Sequence, residues 1–330
     1  MPEHGGNLAR AARDYGIAEE RWLDLSTGIN PSGYPVPSIP AREWQCLPGE
    51  PAALQRIAAD YYQADQLLPV AGTQAAIQAL PRLRPLSRVT LAALTYNEYA
   101  HAWQRQGHAV STARPEEFDA KIEQTDVLIV CNPNNPTGET IARERLLGWH
   151  EALAERGGWL VVDEAYIDVT PDESLAVHAC KPGLIVLRSL GKFFGLAGAR
   201  VGFVLADSLL LSALQAELGP WTVSGPAQIA ARQALADRAW QAQARADLLL
   251  ASRRLHDLLA RNGIAAHGPA LFQWWQHAQA TAMHRRLATE AILTRRFQGV
   301  QPCGIRFGLP GAVGEWQRLA LALAQPIEKQ

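Results

Sequence analysis

Between two apolar runs, 184–187 and 201–205, the chain sets one hydroxyl (Ser189), one lysine (Lys192), a glycine-rich turn and one arginine (Arg200). Lys192 is flanked by Leu190, Phe193 and Phe194, poor company for a solvated charge. Desolvation favours the neutral amine, which is a nucleophile toward a carbonyl carbon. Serine and arginine are the side chains suited to holding a phosphate ester close by. An amine that forms a Schiff base beside a phosphate cradle points to pyridoxal phosphate. Taken alone, the same segment also fits a strand–loop–helix junction with one snorkelling lysine.

The elements that would position these residues are read from the apolar pattern. Continuous apolar runs at 127–131, 159–162, 184–187 and 201–205 are buried strands, with helical spacing at 52–62, 72–80 and 143–156. Such strands alternating with helices indicate an α/β fold with a mostly parallel sheet covered on both faces. Beyond residue 206 the pattern changes to helices at 208–217 and 226–261, strands at 271–275 and 304–307, and a last helix at 315–324. This region reads as a smaller α+β domain. The expected division is 41–205 for a cofactor-binding large domain, with 1–40 and 206–330 forming the small domain and an N-terminal substrate-binding segment.

Ligands of parallel sheets bind at the carboxyl ends of the strands. Three of the strands run into Asn132-Pro133-Asn134-Asn135-Pro136-Thr137-Gly138, into Asp163-Glu164-Ala165-Tyr166, and into the lysine segment. With pyridoxal phosphate in place, each has a task. Asp163 pairs with the protonated pyridine nitrogen and keeps the ring an electron sink. Asn135 and Tyr166 hydrogen-bond the phenolic oxygen, and Tyr96 stacks on the ring. Gly72, Thr73 and Gln74 open a helix whose unpaired N–H groups receive the phosphate, with Ser189 and Arg200 completing that site. Lys192 forms the imine. Each residue also has a plain structural explanation: Asn135 as a turn residue, Asp163 as a helix cap, Tyr96 as packing. Their convergence on three strand ends is what favours chemistry.

Composition removes other classes. Thirty-one basic and 32 acidic residues leave a formal charge of -1, which gives no case for nucleic acid or an anionic membrane as partner. Cys46, Cys131, Cys180 and Cys303 are widely spaced, so neither a metal site nor a disulfide framework is expected. No apolar run reaches transmembrane length, and residues 1–6 lack the basic and apolar regions of a secretion signal. A cytoplasmic enzyme of metabolism is the expectation.

With these motifs in order, from His4 to Arg306, the chain resembles the pyridoxal-phosphate enzymes of aspartate-aminotransferase fold (fold type I), in the branch of the histidinol-phosphate aminotransferases. Its opening, His4-Gly5-Gly6-Asn7 followed by Leu23-Asp24-Leu25-Ser26-Thr27-Gly28-Ile29-Asn30-Pro31, resembles the threonine-phosphate decarboxylases of cobalamin biosynthesis. That resemblance implies a phosphorylated amino acid as substrate, with His4, Gly5 and Arg295 at its phosphate, Arg306 at its α-carboxylate and Asn135 also in contact. It implies a homodimer too. Some positions depart from the pattern. Gly191 stands where serine or threonine is common, Leu47 where relatives carry a tyrosine that reaches the neighbouring subunit, and Gly28 where some decarboxylases have asparagine. Two alternatives stay open: a histidinol-phosphate-type aminotransferase, and a binding or regulatory protein of the same fold without turnover.

Overall fold

The computed structural model describes residues 5–298 and 302–325. In chain order the strands are β1 (Leu23–Leu25), β2 (Leu68–Val70), β3 (Arg88–Ala92), β4 (Ala109–Ala113), β5 (Val127–Cys131) and β6 (Trp159–Asp163). They continue with β7 (Leu184–Ser189), β8 (Gly202–Leu205), β9 (Phe272–Gln276), β10 (Ile292–Phe297) and β11 (Gly304–Gly308). The chain divides into two compact units. One comprises Gly33–Asn135 and Glu139–Ala242, the other Met1–Ser32, Pro136–Gly138 and Gln243–Gln330. The expected break after residue 205 falls inside the first of these, which continues through two further helices.

In the first unit the sheet runs β2-β8-β7-β6-β5-β3-β4. β4, β3, β5, β6 and β7 are mutually parallel, and β8 lies antiparallel to both of its neighbours. The five residues of β5 are all buried, as are the last four of β6, which is the mark of strands covered on both faces. A core of Val127, Ile129, Val161, Ile185 and Leu187 packs against the helices Thr73–Ala79, Glu98–Arg105 and Ser208–Leu218. Parallel pairing puts the ends of β5, β6 and β7 along a single edge.

The second unit holds a four-stranded sheet in the order β1-β10-β11-β9. β10 and β11 are antiparallel, with Arg295 directly opposite Arg306, so both side chains leave the same face. The helix Leu8–Tyr15 joins Trp22 and the end of the helix Ala280–Thr289 in a small cluster of Ala11, Trp22, Ala288 and Ala291.

The continuous helix expected over 226–261 is two helices, Gly225–Ala236 and Arg238–Arg261. Asp237 leaves helical geometry (φ -84°, ψ 81°), and its carboxylate accepts the Trp240 N–H at 2.9 Å. Helical periodicity carries through a break of this kind, because the capping aspartate sits in phase with the helices around it. Among the described residues no helix is long and apolar enough to cross a membrane.

Candidate active site

At the carboxyl edge of the large sheet lies a cavity of about 140 Å³. It is lined by Thr73, Gln74, Tyr96, Asn135, Asp163, Tyr166, Ser189, Lys192 and Arg200, together with Cys131, Pro133, Ala165, Gly191 and Ala197. The side chains expected to surround a cofactor in this unit therefore share one enclosure.

Asp163 ends β6 and is 7% exposed. Tyr99 donates its hydroxyl to Oδ2 at 2.8 Å, and the Ala165 N–H donates to Oδ1 at 3.0 Å. Burial pushes the carboxyl above its ordinary range, and the two donors with nearby Lys192 only partly offset that. A carboxylate held in this manner calls for a cationic hydrogen-bond donor, which a protonated pyridine nitrogen is. Lys192 is half-buried, with Nζ 5.5 Å from the centre of the Tyr166 ring. Tyr96 donates to Gln74 Oε1 at 3.3 Å, and Gln74 donates in turn to Glu98 at 2.6 Å. Burial and Glu98 raise the Tyr96 phenol, so its ring meets the cavity as a neutral face. Burial and Asp163 push the Cys131 thiol up to about 12, which keeps it protonated and inert near neutral pH.

The opposite end of the cavity suits a phosphate. Gly72 (φ +71°) caps the helix Thr73–Ala79, whose first N–H groups have no partner within the helix. A Cβ on Gly72 would stand 2.6 Å from the Arg200 guanidinium, so only glycine lets that cation lie over the helix start. Ser189 Oγ accepts the Gly191 N–H at 3.2 Å. A helix start, a hydroxyl and a guanidinium form a cradle for a phosphate dianion. The residues present fit pyridoxal phosphate at both ends. At Gly191, the position without the common hydroxyl, a Cβ would meet Ala197 Cα at 3.3 Å and Ser189 Oγ at 3.4 Å, so a larger residue there would crowd the turn.

In the other unit the structure gathers Gly5, Arg295 and Arg306 around Ser26. Arg306 is 4% exposed, donates to the Ser26 carbonyl at 2.6 Å and lies 5.0 Å over the Phe272 ring. A Cβ on Gly5 would sit 2.4 Å from that same carbonyl oxygen, and Gly6 N–H donates to Ser26 Oγ at 2.7 Å. The glycine pair thus lets the N-terminal segment lie directly on β1's end. Gly5, Ser26 and Arg295 line a cavity of about 650 Å³ with Arg10, Asp14, His284, Arg285 and Arg296, a basin of net positive charge in which Arg10 is paired with Asp14 at 3.5 Å. His4 lies outside the described residues.

Sequence reasoning missed two participants. Tyr99, in the first turn of the helix Glu98–Arg105, has the type and burial of a packing aromatic, yet its hydroxyl reaches Asp163. Ser26 was passed over inside the LDLSTG run; its carbonyl and hydroxyl organise the second group.

Comparisons with known proteins agree with this geometry. Residues 43–321 match the family Aminotransferase class I and II. The chain is 51% identical over 324 residues to a threonine-phosphate decarboxylase of Pseudomonas aeruginosa, covering 98% of this chain and 97% of that one. It is 43% identical over 330 residues to a threonine-phosphate decarboxylase of a Sinorhizobium species, with the same coverage. Its fold matches the crystal structure of histidinol-phosphate aminotransferase from Sinorhizobium meliloti in complex with pyridoxal-5'-phosphate, with a TM-score of 0.78 at 23% identity over 98% of this chain and 94% of that one. A sheet whose parallel strand ends meet at a lysine, an aspartate and a phosphate cradle, and a family match over most of the length, lead to one conclusion: the chain belongs to the aminotransferase class I and II family.

Proposed function

We propose that this chain uses pyridoxal phosphate to decarboxylate L-threonine O-3-phosphate to (R)-1-amino-2-propanol O-2-phosphate and carbon dioxide, within cobalamin biosynthesis. The observation that carries this reading is the 51% identity, over nearly the full length of both chains, to a relative named for that activity. Relatives named histidinol-phosphate aminotransferase match less of the chain, 41% identical over 36% of it in that of Pectobacterium carotovorum, or match at lower identity, and the solved structures speak for the fold alone. A protein without turnover is disfavoured by the complete set of groups around the first cavity.

When bound, the cofactor supplies an electron sink for the bonding pair that departing carbon dioxide leaves at the α-carbon. The residues do the rest. Lys192 would hold the cofactor's aldehyde carbon through Nζ, and the same amine would be placed to carry the proton that the α-carbon needs. Asp163, oriented by Tyr99, keeps a proton on the pyridine nitrogen. Asn135 and Tyr166 would hydrogen-bond the phenolic oxygen, and Tyr96 would cover the ring. Gly72, Thr73, Gln74, Ser189 and Arg200 hold the phosphate. Arg306 binds the substrate's α-carboxylate, while Arg295 with Gly5 and His4 binds its phosphate. By fixing both anionic ends of the substrate, these anchors would favour loss of carbon dioxide over loss of a proton.

Incubating the purified chain and pyridoxal phosphate with threonine phosphate should release carbon dioxide. No release, with keto-acid-dependent transamination of histidinol phosphate instead, would overturn the assignment. Arg295→Leu removes a bidentate charge-assisted contact, and kcat/KM for threonine phosphate is expected to fall about 100-fold, or ~2.7 kcal/mol. Because the anchor also orients the α-carbon, the loss should appear in kcat as well as in KM.

A cytoplasmic homodimer belongs to the same reading. The cysteines described are free, which suits a reducing compartment and can be checked by cell fractionation. Trp44 and Leu47 are 68% and 71% exposed, on and beside the helix Ala41–Gln45, which packs near the helix Gly225–Ala236. A cluster of large apolar side chains in water suggests a surface that a second copy covers. Sedimentation at twice the 36.0 kDa chain mass is expected, reverting toward monomer in Trp44→Glu.

A further inference from the structure

Behind the first cavity, on the other face of the sheet, three charged side chains are buried together. Arg188 is 2% exposed, and Glu164 and Asp168 are fully buried. Arg188 donates to Glu164 Oε2 at 3.2 Å, to Ser174 Oγ at 2.9 Å and to Asp168 Oδ1 at 2.5 Å. The Leu175 N–H and the Ser174 hydroxyl also donate to Glu164, and Tyr61 donates to Asp168 at 3.0 Å. The Arg188 guanidinium lies 4.5 Å over the Tyr62 ring. Burying this many charges brings little net stability, and an apolar set of similar volume is often as good or better. Specificity of arrangement is the better-attested return from such a cluster.

Its place along the chain says which arrangement. Successive strand residues face opposite sides of a sheet. Glu164 follows Asp163, and Arg188 precedes Ser189, so the ion pair ties the ends of β6 and β7 from behind while Asp163 and Ser189 face the cavity. Asp168 stands two residues after Tyr166, and Ser174 and Leu175 anchor the far end of that loop on Glu164. Each of three cavity residues is thus one or two positions from a member of the cluster.

We propose that Arg188, Glu164 and Asp168 are positioning residues that set the spacing of Asp163, Tyr166 and Ser189 around the cofactor. The proposal rests on the pyridoxal-phosphate reading of the cavity. A cluster that served stability alone would leave cofactor affinity unchanged in any variant that folds. A positioning cluster would weaken it even where stability is kept.

The test uses Glu164→Gln, which removes one charge, and Ser174→Ala, a small change that deletes the hydroxyl shared by Arg188 and Glu164 and that the fold should tolerate. Apoprotein of each is titrated with pyridoxal phosphate, and the pH at which the bound cofactor's visible band titrates is recorded beside thermal unfolding of the apoprotein. Expected is a rise in cofactor Kd of about tenfold for Glu164→Gln, the low end of what removing the outer hydrogen-bond partners of a bound metal's ligands costs, and a smaller rise of about threefold for the single hydroxyl lost in Ser174→Ala. The visible band's titration should shift in both, and Glu164→Asp should recover part of the loss. Ser174→Ala with a Kd and titration indistinguishable from the unaltered chain would overturn the proposal. An unaltered chain that forms no visible band with pyridoxal phosphate would instead overturn the cofactor reading beneath it.

Discussion

Lys192→Ala is expected to abolish carbon dioxide release from threonine phosphate and to remove the visible imine absorbance of the bound cofactor. The residue is asked for two things that no neighbour can supply. Among the described residues it is the only lysine lining the cavity, so no other ammonium among them can hold the aldehyde carbon covalently. It is also the candidate carrier of the proton returned to the α-carbon, and a positioned acid or base contributes about 10²–10⁴ in rate. A fall in kcat of about 10⁴ or more is therefore expected. Cofactor binding should weaken but persist, since Arg200, Ser189 and the helix start at Thr73 remain. The two effects are separated by reading absorbance and dialysable cofactor on the same sample. A variant that keeps the visible band, or that decarboxylates at near the original rate, would remove Lys192 from the mechanism. Added methylamine offers a further check: a small primary amine entering the space left by the side chain should restore part of the rate.

The cofactor cavity was legible because its residues sit where the period of the apolar pattern stops. Runs at 127–131, 159–162 and 184–187 end in polar residues, and parallel pairing brings those ends to one edge. Chemistry and topology there are written in the same few positions. β4 was illegible for the opposite reason. It is an edge strand with four of its five residues exposed or half-exposed, so no apolar run marks it. β10 carries Arg295 and Arg296 at its centre and reads as a polar segment, although pairing with β11 fixes it as a strand. The Arg295–Arg306 juxtaposition is likewise a fact of register, which spacing of about ten residues cannot specify without the turn. Networks across the sheet were hidden altogether. Arg188 looked like a flank of the lysine segment, and nothing in its neighbours announces Glu164 and Asp168, some twenty residues earlier, as partners. Such pairs need three dimensions, because the sequence shows which charges are flanked by apolar residues but not which other buried charge each will meet.

Asp163→Asn is expected to stabilise the cofactor-free chain while reducing its activity about 10³-fold. Asp163 is buried, and burial holds its carboxyl above the ordinary value despite Tyr99 and Ala165. An unfolded aspartate loses its proton near pH 4, about 3.9. As pH rises past that point the unfolded chain ionises first, so native stability is full below about pH 4 and declines as pH climbs through the raised native value. Asparagine has the same shape and no charge to desolvate; it can accept the Ala165 N–H and donate to the Tyr99 oxygen. Apoprotein of the variant should therefore melt a few degrees higher, on the order of 1–2 kcal/mol, above pH 4, and should show no advantage below it. Catalysis moves the other way. A neutral amide cannot hold a proton on the pyridine nitrogen, and the electron sink is weakened for every substrate alike, so kcat falls with little change in KM. Tyr99→Phe completes the comparison. It keeps the charge but deletes one donor, which pushes the Asp163 carboxyl further up, so its activity should lie between the two and should recover as pH is raised. A rate in Asp163→Asn close to the original would mean that this aspartate is a buried structural residue, and an apoprotein no more stable than the original above pH 4 would mean that its charge is already balanced without the cofactor. The expected opposition of stability and rate follows from one fact: the carboxylate is built into the sheet edge ahead of the cation it is there to meet.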